Sequence, residues 1–237
     1  RGLGDVYKRQ DWNWLESAYE GPPGGYTSIA SAPDYSQSKQ VLAGDMGGLL
    51  RSNDGGESWE RLSDVGAAAD IIYAPGSGEN KTIFSSDGFS LYRSQDAAQS
   101  FTSVLTAPVT SLTVSPSYAG DATVFAAGGA HFYASVDGGT TWISSTIDTS
   151  VTMINALAVS PQFSIDEVLI AGTSNGLYWS RDGGADWESI PAYAGRAVRS
   201  LAISPQWPQH AVLLVGTDAG VYRLLSADLS SGELKQA

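Results

Sequence analysis

Cysteine is absent from the 237 residues, so the chain has no disulfide framework, no thiolate metal site and no cysteine nucleophile. Histidine is almost absent. The two present, His131 and His210, cannot by themselves supply a His-rich metal site, and no metal is expected. Basic residues are scarce, with 13 Lys and Arg against 25 Asp and Glu. The resulting charge of −12 argues against a phosphate-binding surface, and so against a nucleic-acid partner. No apolar run approaches the length of a membrane span. No Gly-rich loop leads into a helix, and no Gly-x-Ser-x-Gly elbow occurs, so no nucleotide cofactor and no serine-hydrolase site are expected. Charged residues make up only 16%, while glycine is plentiful, a balance that suits short strands joined by many turns.

What is present is repetition. Ser180–Trp187 reads SRDGGADW, and the same pattern appears as SNDGGESW at Ser52–Trp59 and SVDGGTTW at Ser135–Trp142. A weaker copy, SQDAAQSF, occupies Ser94–Phe101. The four aspartates, Asp54, Asp96, Asp137 and Asp182, are spaced by 42, 41 and 45 residues. Each copy reads as a tight turn between strands. The Ser hydroxyl and Asp carboxylate accept backbone N–H groups of the loop. Gly56, Gly139 and Gly184 permit positive φ, and Trp59, Trp142 and Trp187 open the next strand with the indole buried beside the turn.

A second column has the same period. Pro33, Pro75, Pro116, Pro161 and Pro205 step by 42, 41, 45 and 44. A short apolar run precedes each proline, which ends the strand because it has no N–H for a ladder. A second run follows at Gln40, Thr82, Thr123, Val168 and Val212, then a third at Gly48, Ser90, His131, Gly176 and Gly220. The Asp-containing turn and a fourth strand complete each unit. Four strands in ~40–45 residues is the period of a propeller blade. The expectation is an all-β propeller of five four-stranded antiparallel repeats, with units near 26–66, 67–108, 109–152, 153–196 and 197–237.

These turns resemble the Asp-box, or BNR-repeat, propellers, a group that includes sialidases, xyloglucanase-type glycosidases, sortilin-like receptors and photosystem II assembly factors. The match is full at Ser52, Asp54, Gly56, Trp59, at Ser135, Asp137, Gly139, Trp142, and at Ser180, Asp182, Gly184, Trp187. The second turn keeps Ser94 and Asp96 but has Ala98 and Phe101 in place of Gly and Trp. The resemblance covers about residues 11–237 and implies that the boxes lie on the rim, away from any active site. The segment Arg1–Gln10 resembles translated sequencing-adapter sequence of environmental gene fragments and is set aside as a non-native tail. Trp14–Tyr19, within 11–19, reads as an outer strand of a ring-closing or preceding blade, the latter making the chain part of a six- to eight-bladed ring.

Function in a propeller is expected at the loops of one face. Those between the fourth strand of one unit and the first of the next supply Tyr19, Tyr26, Asp70, Asp148, Asn155, Tyr193, Arg196 and Arg199 as candidate ligand-face residues. A sialidase would need three converging arginines. Arg196 and Arg199 make only a pair, and Arg51, Arg93 and Arg223 share a column that points toward the rim. Asp70 and Asp148 are the candidate carboxylate pair for a xyloglucanase-type site. The reading that results is a non-catalytic binding or scaffold propeller, resembling bacterial BNR-like repeat proteins. It would present its loops to a protein or glycan partner outside the cytoplasm. The alternative is a glycoside hydrolase fragment of sialidase or xyloglucanase type.

Overall fold

The computed structural model describes residues 25–62, 66–76, 78, 81–207, 212–225 and 235–236. The tail and Trp14–Tyr19 lie outside these residues. The strands fall into five four-stranded antiparallel sheets. The first holds β1 (Tyr26–Ser31), β2 (Val41–Asp45), β3 (Gly48–Ser52) and β4 (Glu60–Arg61). The second holds β5 (Asp70–Tyr73), β6 (Ile83–Ser86), β7 (Leu91–Ser94) and β8 (Thr102–Leu105). The third holds β9 (Ser111–Val114), β10 (Val124–Gly128), β11 (His131–Ser135) and β12 (Ile143–Thr146). The fourth holds β13 (Ile154–Val159), β14 (Leu169–Thr173), β15 (Gly176–Ser180) and β16 (Glu188–Ser189). The fifth holds β17 (Val198–Ile203), β18 (Val212–Thr217), β19 (Gly220–Leu225) and β20 (Lys235–Gln236).

Each sheet is a meander in which chain neighbours pair. The register repeats as well. One cross-strand row runs Ala30–Leu42–Arg51 in the first sheet and Ile72–Phe84–Arg93 in the second. The row continues as Thr113–Phe125–Ala134, Ala158–Ile170–Trp179 and Ala202–Leu214–Arg223. The first strands of successive sheets lie side by side, β1 with β5, β5 with β9, β9 with β13 and β13 with β17. Among the described residues no contact of that extent joins β17 to β1.

The core lies between sheets rather than within them. Leu42 and Leu49 pack with Ile71 and Ile83 between the first two sheets. Phe84 and Leu91 meet Val124 and Tyr118 between the second and third. Phe125 and Phe132 meet Leu169 and Phe163 between the third and fourth. Ile170 and Leu177 meet Leu213 and Val215 between the fourth and fifth. The second, third and fourth sheets thus offer alternate residues of their strands to two different neighbours, as the two-residue period of a strand permits.

Three details differ from the sequence reading. The strand after each tryptophan begins one residue later, and Trp59, Trp142 and Trp187 are half-buried rather than enclosed. Their indole N–H groups donate to the carbonyls of Gly56, Gly139 and Gly184, which holds the ring against its own turn. The loop after three of the prolines contains a single helical turn, α1 (Tyr35–Ser38), α2 (Tyr118–Asp121) and α3 (Phe163–Asp166). Four residues are too few to show helical periodicity in a sequence. Finally, the outer strand of the fifth sheet is Lys235–Gln236, paired with Tyr222 and Arg223.

Candidate functional site

The two ends of the sheets are chemically distinct. At one end α1, α2 and α3 close on the Asp-containing turns. Lys39, Ala122 and Glu167 end the helical turns in the left-handed region, with φ of 54, 50 and 51°. Their carbonyls accept the N–H of Gly55, Gly138 and Gly183. At the other end the loops between sheets meet the turns between second and third strands. There Ala68 N–H donates to the Asp45 carbonyl, and Ile154 N–H to that of Gly129.

At the first end the four turns share one hydrogen-bond scheme. Ser52, Ser94, Ser135 and Ser180 each donate Oγ–H to the aspartate two residues on, at 2.7–2.8 Å. Each Oγ accepts the N–H of the residue four on, Gly56, Ala98, Gly139 or Gly184, at 2.8–3.0 Å. Ser58, Ser100 and Thr141 donate their hydroxyls to the second carboxylate oxygen. The fourth turn has Asp186 there, which offers only its N–H. These donors favour the charged form. The Thr141 and Ser135 hydroxyls and the Thr141 N–H hold Asp137 well below the usual carboxylate range. At Asp96 burial opposes the shift, but the Ser100 and Ser94 hydroxyls outweigh it and bring the pKa to about 2.

The turn with Ala98 makes the same bonds despite φ of 66° at that residue. The neighbour explains the tolerance. A Cβ on Gly139 would lie 2.8 Å from Phe84, and one on Gly184 2.4 Å from Phe132. Ala98 instead packs in the cluster that contains the smaller Leu42 and Leu49. Glycine is needed where the preceding sheet carries an aromatic ring.

The loop end holds the remaining candidates. Tyr19 and the Tyr26 side chain lie outside the described residues. Asp70 opens β5 and accepts the N–H of Leu112 at 2.9 Å and of Ile71 at 2.9 Å, with the Ser28 hydroxyl at 3.4 Å. It belongs to a column along the inner strands. Ser28 Oγ accepts the N–H of Ile71, Asp70 that of Leu112, and Ser111 Oγ that of Leu157, each in the next sheet. Burial raises the Asp70 pKa, and its hydrogen bonds oppose the shift. Ser28 and Ser111 were not singled out from sequence, although they lie 42 and 41 residues either side of Asp70, the spacings of the turns. Asp148 is exposed in the β12–β13 loop. It takes the Ser150 hydroxyl and N–H, which lower its pKa. No hydrogen bond or shared partner joins Asp70 to Asp148 among the described residues.

Asn155 donates to the Val198 carbonyl in the next sheet at 2.8 Å. Tyr193 is wholly buried in a short 3-10 turn, so it packs rather than presents itself; its hydroxyl has no hydrogen-bond partner among the described residues, and burial pushes its pKa up to about 12. Its ring meets Tyr222 edge-on at 6.0 Å, and Arg196 donates to the Tyr222 hydroxyl at 3.1 Å. Arg199 pairs with Asp218 at 2.9 Å on the exposed surface. The structure therefore gathers Arg196 near Tyr193 and leaves Asp70, Asp148 and Asn155 in separate contacts. Three exposed apolar side chains at this end went unnoticed in the sequence: Met46 and Phe89 at turn tips, and Met153 in the β12–β13 loop. For Met46 and Phe89 the signal was an apolar residue inside an otherwise Asp- and Gly-rich turn, DMGG and DGFS; Met153, in TSVTMIN, carried none.

No protein-family model matches the chain, and no curated protein matches it. Solved structures do. An ancestral GH74 enzyme superposes with a TM-score of 0.75 at 21% identity, over 92% of this chain and 31% of its own. YCF48 bound to D1 peptide gives 0.61 at 16%, over 86% and 65%. The extracellular domain of the one-component system BT4673 from B. thetaiotaomicron gives 0.67 at 16%, over 89% and 27%. At these identities the likeness shows the fold alone, and the fold is a β-propeller. The chain spans about a third of the length of the GH74 enzyme.

Proposed function

We infer that this chain is an Asp-box propeller that binds or scaffolds a partner through the loop end of its sheets. The observation that carries this is the exposure of Met46, Phe89 and Met153 together in the loops of that end, with Phe89 78% accessible, although Ile165 and Val136 are exposed at the other. Apolar side chains held at turn tips by backbone hydrogen bonds, as Phe89 is by Asp87, contribute contact area at little entropic cost. Arg196, Arg199 and Asp148 add charge around them, which suits a protein or glycan surface. Support against a hydrolytic site comes from Asp70, whose carboxylate is taken up by backbone N–H groups of two sheets. A glycan array and a peptide library, each probed with the native chain and with Phe89→Ser, test the reading. Binding that survives Phe89→Ser unchanged would sink it.

A second reading, a glycoside hydrolase fragment, is favoured by the 0.75 TM-score to the GH74 enzyme. It predicts new reducing ends on incubation with xyloglucan or sialyl-oligosaccharides, abolished in Asp70→Asn. The binding reading predicts no reducing ends, and a lower melting temperature in Asp70→Asn. An extracytoplasmic location is part of the same proposal. Among the described residues no helix is long and apolar enough to cross a membrane.

A further inference from the structure

At the end opposite the loops, two grooves occupy equivalent places, one between the second and third sheets and one between the third and fourth. Most of their lining residues are equivalent in the repeat. Thr82, Gln95, Tyr118, Ala119, Asp137 and Gly138 in the first stand where Thr123, Val136, Phe163, Ser164, Asp182 and Gly183 stand in the second. Two exchanges at equivalent positions change the charge. Arg93 is replaced by Ala134, and Ala122 by Glu167.

In the first groove Arg93 donates to the Gly138 carbonyl at 2.6 Å and to the Thr140 hydroxyl at 3.2 Å. Arg51 reaches the equivalent turn one sheet earlier, donating to the carbonyl of Ala97, the counterpart of Gly138, at 3.4 Å and to that of Ala98 at 2.9 Å. An arginine from one sheet thus caps the turn of the next. Between the third and fourth sheets that arginine is missing. The Gly183 carbonyl takes no hydrogen bond among the described residues. What remains is a groove of ≈ 370 Å³ with Phe125 and Phe163 on its floor. Glu167 and Asp182 stand at its rim, and no cation lines it. The exchange removes a positive charge and adds a negative one at the same place.

We propose that this groove is a docking site for an arginine side chain of a protein partner. The stem lies on Phe125 and Phe163, as such stems cover apolar surface while the head stays polar. The guanidinium donates to the Gly183 carbonyl and faces Glu167 and Asp182, in the manner of Arg93 at Gly138. A planar fork with several donors suits a carbonyl flanked by carboxylates better than a point-charge ammonium does. The site lies at the end away from Met46 and Phe89, so it stands or falls independently of the loop-face reading.

The test is titration of the full ¹⁵N-labelled chain with Nα-acetyl-arginine methylamide. Saturable shifts are expected at Gly183 and Ser164 but not at Gly138, whose groove Arg93 already fills. The lysine analogue should bind about fivefold more weakly. Ala134→Arg supplies the arginine from within; it should raise the melting temperature and weaken the probe at least about tenfold. Glu167→Ala, which installs the residue found at 122, should weaken it about threefold or more while keeping the fold. Absent saturation, equal binding of the lysine analogue, or unchanged affinity in Glu167→Ala would each overturn the proposal. So would unchanged affinity in a folded Ala134→Arg; if that variant does not fold, Glu167→Ala decides.

Discussion

The fourth and fifth sheets carry the same cross-strand row, and the environment of that row is opposite in the two. Ile170 and Leu177 of the fourth sheet are 0% exposed, packed on the fifth. Leu214 and Val221 fill the same two positions in the fifth sheet and are 41% and 52% exposed. Arg51 and Arg93 reach carbonyls of the following turn; Arg223, at their register, is exposed with no bond of this kind among the described residues. The residues differ little in hydrophobicity. The neighbouring sheet alone decides whether a blade face is core or surface, as expected where stability resides in interfaces between repeats.

The largest effect should separate these two faces. Ile170→Ala is expected to cost about 2–5 kcal/mol in denaturant unfolding, and Leu214→Ala to stay within about 0.5 kcal/mol. Equal costs would mean that the outer face of the fifth sheet is covered in solution.

Next comes the tightness of the packed interfaces. Gly184→Ala places a Cβ 2.4 Å from Phe132 at φ of +94°. Left-handed backbone costs about 1–2 kcal/mol and overpacking about 1–3 kcal/mol. Ala98→Gly, in the interface with Leu42, relieves the first term and loses one buried methyl, so its unfolding midpoint should barely move. A Gly184→Ala protein of native stability would show that Phe132 swings away freely.

A smaller effect concerns the turns themselves and depends on pH. Because the folded state holds Asp137 below its ordinary 3.8, the stabilisation is present above that value and fades as pH falls through the folded pKa. Asp137→Ala should therefore lower the melting temperature at pH 7, with the gap to the native chain closing toward pH 2. A gap independent of pH would assign the role of Asp137 to shape rather than charge. Least of all, Phe89→Ser should leave melting unchanged while altering only binding, since the side chain touches little of the core.

Much of this was legible in the chain because it is local. The bonds made by each turn's Ser, Asp and Trp side chains close within eight residues, from Ser135 to Trp142 for example, so a string of Ser, Asp, Gly and Trp at fixed offsets already contains those partners. The repeat period likewise follows from recurrence alone. Tyr193 shows where such reading stops. It lies in a loop between sheets, yet it is enclosed by residues of the fourth and fifth sheets, and nothing within its own loop announces that. Trp207, two residues after Pro205, is buried in the same cluster for the same reason.

By itself, then, the sequence determined the four-stranded unit, its period and the chemistry of the turns, because those depend on neighbours along the chain. Only the tertiary structure decided that Asp70 ties three sheets together, that Ala134 leaves a groove, and that Leu214 faces solvent. Each depends on how one sheet stacks on the next, which brings together residues as far apart as Ser28, Asp70 and Leu112, or Ala134 and Gly183, and leaves Leu214 uncovered.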